Sequence, residues 1–367
     1  MKKKIKPQTK ENLKNVFGSL YSNQRAIDGA RHNRWWVALI MFAISVLLPV
    51  IPVTVHAYNQ YATSFFTNGL KSFDTQITDF SLDLKENDID LVIADVNETH
   101  KLEDKGGKWK TKYEYYSESS TDIQYARINE NSHQYDLLVY FVNPIETRSF
   151  NTIVSEILKN QYELKTTNKY VEPTSTEEGT EDSSSEEEIK LYKATTLIFS
   201  ETTVALTIYL PDKTDVYGAL MGDYEHTEIG TNFKNFAMID GVIADNKNQS
   251  NIDAVKAKWF GFFDETYITF RNNAVLLNTF LSLGIYIVLG FFMGLMVFLL
   301  TRGKKNIFRV YTFGDCQKIS AWSMVSPALL GMILGFFIQD YAMMFFIILL
   351  GVRVMWLSMK QLRPANR

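Results

Sequence analysis

The chain of 367 residues has a single cysteine, Cys316. One thiol cannot form an internal disulfide, so whatever folds here is held by packing alone. A eukaryotic secreted domain of comparable size often carries disulfides, so the composition points toward a bacterial surface. Histidine is also scarce: His32, His56, His100, His133 and His226 are the full set. No HExxH occurs, and no Cys/His pair has zinc spacing. The chain also lacks a GxSxG elbow, a Walker A loop and a glycine-rich dinucleotide fingerprint. The one cluster of a histidine with carboxylates, Asp223-Tyr-Glu225-His226-Thr-Glu228, reads as a solvated loop. The sequence therefore selects no catalytic residue, no cofactor-binding residue, no metal ligand and no cofactor. Its first reading is non-enzymatic. A serine triad, which is defined in space, lies outside this argument.

Charge is missing from three long stretches. Residues 35–57, 274–301 and 319–339 contain no Asp, Glu, Lys or Arg over 23, 28 and 21 residues. At about 1.5 Å per residue each can cross a hydrocarbon core of about 30 Å as a helix. Helix is the only form in which such an isolated run satisfies its backbone there. A fourth run, 341–359, is interrupted by Arg353, which must snorkel or face other helices. The apolar Val354-Met355-Trp356-Leu357 continues beyond it, so this run also counts as a span. The first run ends in Val55-His56-Ala57, but its basic flank and apolar core are both too long for a cleaved signal. Pro49 and Pro52 are expected to bend it.

The charges that are present are segregated. Residues 1–34 carry nine Lys/Arg and two Asp/Glu, residues 302–318 carry five and one, and residues 341–367 carry four and none. Residues 58–273 carry 20 basic and 37 acidic groups. Basic residues confined to short flanks argue against a nucleic-acid binder. By the positive-inside rule the basic flanks are cytoplasmic. The expected organisation is a cytoplasmic segment 1–34, span 35–57, an extracytoplasmic domain 58–273, span 274–301, a cytoplasmic loop 302–318, spans 319–339 and 341–359, and a cytoplasmic tail 360–367. The expected fold class is α+β, a four-helix transmembrane region with one extracytoplasmic mixed α/β domain inserted between the first and second spans. It predicts a multi-pass protein of the cell membrane with both termini inside. Trp35, Trp36, Tyr58, Trp259, Trp322, Tyr341 and Trp356 fall near span ends, as an aromatic belt would.

Gly290-Phe-Phe-Met-Gly294 and Gly331-Met-Ile-Leu-Gly335 place paired glycines on one helix face each, where a neighbouring backbone can approach. Contact within the chain is favoured over dimerisation. Ser320, Ser323 and Ser326 share a face with Pro327 and suit helix packing better than a substrate path. Ionisable groups at depth are the usual mark of carriers, and Arg353 is the only one inside a span. It is either an anchor or a partner contact.

Within 58–273, strand-like runs are Asp90–Val96, Asp136–Val142, Tyr192–Phe199 and Thr203–Leu210, the last two forming a hairpin across Ser200-Glu201-Thr202. Residues 147–162 show helical spacing of Phe150, Ile153, Val154, Ile157 and Leu158. Residues 172–188 are acidic and low in complexity, which predicts a disordered loop and not a calcium site. Residues 253–270, with six aromatics, suit either an amphipathic segment on the outer leaflet or a helix packed into the domain, and residues 58–66 could be its counterpart. Residues 13–21, with nearby lysines, suit the anionic inner surface.

Phe17-Gly-Ser-Leu-Tyr21 and Phe308-Arg-Val-Tyr-Thr-Phe-Gly-Asp-Cys-Gln-Lys318, the latter running into Ser-Ala-Trp-Ser-Met-Val-Ser-Pro327, are two segments to weigh together. They resemble a Gram-positive multi-pass membrane family of unassigned function that includes the maltodextrin-utilisation membrane protein of streptococci. The resemblance covers the spans and flanks and carries no catalytic residue. It implies association with sugar uptake, with the bilayer and a carbohydrate ABC transporter permease as partners and a carbohydrate as an available ligand. Two rival readings stand beside it. One is an extracytoplasmic ligand sensor relaying through a partner. The other is an enzyme acting on the cell envelope or a polysaccharide, which would need paired carboxylates in a cleft.

Overall fold

The computed structural model describes residues 14–65, 73–113, 124–129, 134–142, 149–167, 194–209, 216–304, 306–338 and 341–362. The acidic stretch 172–188 lies outside them. The chain divides into two compact units, one of residues 1–60 with 272–367 and one of residues 61–271. It is a mixed α+β protein with four helices long and apolar enough to cross a membrane.

The first unit holds a short helix α1 (14–19), α2 (Asn23–His32) and α3 (Trp35–Tyr58). It continues with α8 (Ile268–Leu300), α9 (Phe313–Phe337) and α10 (Ala342–Lys360). Helix α8 begins six residues before its uncharged run. Helix α9 likewise begins before Ile319, because a reciprocal cap starts it. Thr312 Oγ1 accepts from Asp315 N at 3.2 Å, and Asp315 Oδ2 accepts from Thr312 N at 3.1 Å. Such a box satisfies two of the orphan donors that every helix N-terminus exposes.

Helix α9 is the hub. Cys316, Ile319, Ser320, Trp322, Ser323, Met324 and Ala328 are all buried, in a core shared with α2, α3, α8 and α10. Helix α8 instead leaves Leu276, Leu277, Phe280, Leu281 and Val288 between 56% and 69% exposed. A helix with an apolar outward face requires an apolar surrounding.

The second unit is built on a five-stranded sheet of order β3-β4-β5-β6-β7. Its strands are β3 (Tyr125–Asn129), β4 (Gln134–Phe141), β5 (Thr195–Phe199), β6 (Thr203–Tyr209) and β7 (Val216–Asp223). β4 and β5 are parallel, and the other pairs are antiparallel. The parallel pair needs a crossover, which contains α6 (Phe150–Thr167). Side chains alternate across a strand. Leu138, Tyr140, Ile198 and Ala205 thus meet Phe150, Ile153, Val154 and Ile157 of α6 on one face. Leu137, Val139, Phe141, Leu197, Phe199 and Leu206 enter the larger core on the other.

That larger core is closed by α4 (Phe73–Glu86) and α7 (Gln249–Thr266). Two antiparallel hairpins complete the unit: β1 (Asp90–Val96) with β2 (Thr99–Lys105), and β8 (Met238–Ile239) with β9 (Val242–Ile243). A short helix α5 (Lys108–Tyr113) follows β2. The β1–β2 turn puts Asn97 and Glu98 at φ 56° and 62°. This is the left-handed pair that a two-residue hairpin requires.

Two sequence expectations need correcting. Trp259 and Trp322 are fully buried and do not sit in an interfacial belt. Trp259 lies in the core of the second unit and donates from Nε1 to Ser81 Oγ at 2.8 Å; Trp322 lies in the helical core. The other five aromatics of the proposed belt, Trp35, Trp36, Tyr58, Tyr341 and Trp356, are half exposed. For residues 253–270 the structure selects domain packing. Val255, Trp259, Phe262 and Phe263 are buried in the larger core, so these rings are not available to a bilayer surface.

Candidate functional site

Two sequence features converge at one end of the helical unit, where α1, α2, the start of α9 and the end of α10 meet. Ser22 caps α2. One face of α2 is small (Ala26, Gly29, Ala30), and this lets it lie against α9. A Cβ at Gly29 would stand 2.7 Å from two carbons of the Trp322 ring, so only glycine lets the indole seat there. Arg31 lies over the Tyr311 ring at 5.3 Å. Asn306 Nδ2 donates to Leu362 O at 2.9 Å, and Arg302 Nη2 donates to Tyr311 O at 2.7 Å. The first ties the loop before α9 to the residues after α10, and the second closes that loop on itself.

Arg353 reaches into this assembly. Its Nε donates to Asn23 Oδ1 at 3.0 Å, and its Nη2 donates to Ser19 O. Its Nη1 is buried and donates to no described residue. A groove of about 210 Å³ lies beside it. The groove is lined by Asn23, Ser326, Pro327, Leu330, Leu349, Val352, Arg353 and Trp356. Of the three serines on that α9 face, Ser320 Oγ donates to Gly290 O at 3.1 Å and Ser323 Oγ to Ile319 O at 2.8 Å, whereas Ser326 lines the groove. The sequence pattern does not mark Ser19 and Asn23 as partners of Arg353. Ser19 contributes only a backbone carbonyl, which no side-chain pattern announces.

The four glycines sit at helix crossings inside the chain. A Cβ at Gly290 would overlap Phe42 Cε2 and stand 2.9 Å from Met324 Sδ. One at Gly294 would stand 2.5 Å from Gln317 Nε2, an amide already donating to Phe291 O at 3.1 Å. Gly331 faces Phe346 Cβ at 3.3 Å, and Gly335 faces Pro52 Cγ at 2.7 Å. The 13–21 segment is helical over 14–19, with Asn15, Gly18 and Ser19 buried and Phe17 and Tyr21 exposed.

The second unit carries an open cleft of about 500 Å³ between the β1–β2 hairpin and Glu201. Three carboxylates line it, Glu103, Asp104 and Glu201, and two of them have partners in the structure. Glu201 lies 3.6 Å from Lys101 Nζ, and Asp104 accepts from Trp109 N and Lys110 N at 3.2 Å each. A second set of charged groups lies on one side of α4. Arg127 bridges Asp79 (2.7 Å) and Asp136, while Asp83 takes Lys112 at 3.0 Å and the Tyr113 hydroxyl. Burial pushes the Asp136 carboxyl up against the opposing pull of Arg127. Burial and the nearby Asp83 push the Tyr113 and Tyr125 phenols up. By contrast, exposed Asp88 is drawn down to about 2 by hydrogen bonds from Lys108 and Lys234. These groups are locked to one another, as in a structural network.

The Asp223–Glu228 segment is a turn whose His226 is exposed. Its Tyr224 points inward, donating to Thr203 O at 2.9 Å. Among the described residues no group of three or more His, Cys, Asp and Glu side chains could hold a metal ion. Comparisons with family models, curated proteins and solved structures return no match.

Proposed function

We propose that the chain is a non-enzymatic accessory protein of the cell membrane, associated with carbohydrate (maltodextrin) uptake through a membrane partner such as the permease of a carbohydrate ABC transporter. The observation that carries this reading is the convergence of residues 17–21 and 308–327, the segments with the family resemblance, on the assembly around Trp322 and Arg353. That assembly packs small and aromatic side chains around Trp322, with Gly29 set against the indole. The long apolar face of α8 supplies a surface that lipid or a permease helix can cover. By the positive-inside rule the basic end is cytoplasmic, both termini are inside, and residues 58–273 are displayed outside.

The test is a mild-detergent pull-down of the tagged chain from its native membrane, paired with sugar-uptake rates in a deletion strain. A stoichiometric sugar permease together with slowed uptake is the expected result. No permease after crosslinking together with unchanged uptake would overturn the proposal.

A further inference from the structure

We propose that the groove beside Arg353 binds the phosphate of an anionic phospholipid. The inference rests on reading α3, α8, α9 and α10 as membrane spans and is independent of any transport partner.

Arg353 lies seven residues before the end of α10 at Lys360, about 10 Å inside that end at 1.5 Å per residue. Guanidinium is always charged and offers five donors. Here two of its nitrogens are committed to neutral acceptors, and the third has none among the described residues. No ion pair among the described residues includes Arg353. The carboxylates carried by α2 and α9, Asp28 and Asp315, accept from Gln24 and from Thr312. A cation at that depth without a counter-ion is unfavourable.

The walls of the groove identify the occupant. Pro327, Leu330, Leu349 and Val352 are apolar, and Leu330, Val352 and Trp356 are 44%, 60% and 52% exposed. The groove therefore opens outward to the medium that covers the helices. A free phosphate would satisfy the guanidinium and leave this wall bare. An acidic peptide would bring backbone groups that hydrocarbon cannot satisfy. A phosphate carrying acyl chains satisfies both, with a phosphate oxygen accepting from Nη1. Lys360, whose Nζ lies 4.2 Å from the Trp356 ring centroid, adds a second cation near the same opening, and anionic headgroups concentrate at a cytoplasmic surface.

The test is native mass spectrometry of the full chain in mild detergent, supplied with phosphatidylglycerol or phosphatidylcholine. Phosphatidylglycerol should remain bound at least about tenfold more than phosphatidylcholine. Arg353→Gln should lose that preference, and Arg353→Lys, a point charge without the fork, should lose part of it. Leu330→Trp blocks the wall and leaves the guanidinium in place, so it should also weaken retention; it decides the matter if Arg353→Gln does not fold. Equal retention of the two lipids, or undiminished retention in Leu330→Trp, would overturn the proposal. So would displacement of the lipid by inorganic phosphate alone, or an acidic protein segment occupying the site in its place.

Discussion

Replacing Gly290 by alanine tests the helical packing at its tightest point. The added methyl would overlap Phe42 Cε2 and crowd Met324 Sδ at 2.9 Å. Phe42 is itself set edge-on to Phe291 at 5.7 Å, so its ring cannot simply swing away. Overpacking of this kind costs about 1–3 kcal/mol. Parting α8 from α9 also stretches the bond from Ser320 Oγ to Gly290 O, 3.1 Å long, worth about 0.5–1.5 kcal/mol. Alanine regains about 1 kcal/mol of helix propensity. The net expectation is destabilisation by about 0.5–3.5 kcal/mol. Gly284→Ala and Gly351→Ala are the controls, because a Cβ there meets nothing within 4 Å; they should be neutral or stabilising by up to about 1 kcal/mol. The assay is unfolding in mixed micelles titrated with dodecyl sulfate, followed by tryptophan fluorescence. If Gly290→Ala unfolds at the same detergent fraction as Gly284→Ala, the close-packed crossing does not exist as described.

Three further outcomes follow from the structure. Gln124→Leu should cost the full chain about 1–3 kcal/mol, read by calorimetry, because it takes the Gln124 Oε1 acceptor from the buried Trp109 Nε1 and removes the side-chain bonds to Phe141 N and Phe141 O; an unchanged transition would contradict that bonding. Asp315→Ala removes half of the α9 capping box and should cost about 1 kcal/mol, with Asp315→Asn recovering part of it in the same micelle titration. Burial raises the Asp264 carboxyl above its ordinary value, although Thr63 N and Oγ1 donate to it. As pH falls the folded state therefore binds this proton first, so Asp264's contribution to stability rises through the folded pKa and levels below the unfolded one, about 3.9. Asp264→Asn should abolish that rise, and its melting-temperature difference from the wild type should change between about pH 7 and pH 4; a constant difference would refute the assignment.

The elements legible in the sequence were those whose signal is local. The run Asp90–Val96 is a strand because its apolar residues and turn flank are contiguous. The helical spacing after residue 147 is α6. Helix α4 carries Phe73, Ile77, Phe80 and Leu84 at helical spacing, a periodic signal that is local to its own residues. Strands β2 (Thr-His-Lys-Leu-Glu-Asp-Lys) and β7, with two glycines, carry little strand propensity. They exist because β1 and β6 provide edges to pair with. The face that α7 presents was undecidable from its own residues, since an aromatic stripe fits a leaflet and a core alike; Ser81, 178 positions away, decides it through Trp259. Arg353 stood out in sequence as the one ionised group in a span. Its partners Ser19 and Asn23 lie 334 and 330 residues earlier, and only the fold brings them together.

The most direct measurement of the account is the sidedness of single cysteines in intact cells. With Cys316, which is buried, replaced by alanine, Glu225→Cys on the second unit and Lys304→Cys beside α9 are each exposed to a membrane-impermeant maleimide; both positions are solvent-accessible. The account predicts that Glu225→Cys is labelled in intact cells and Lys304→Cys only after lysis. Labelling of Lys304→Cys in intact cells, or protection of Glu225→Cys until lysis, would contradict it.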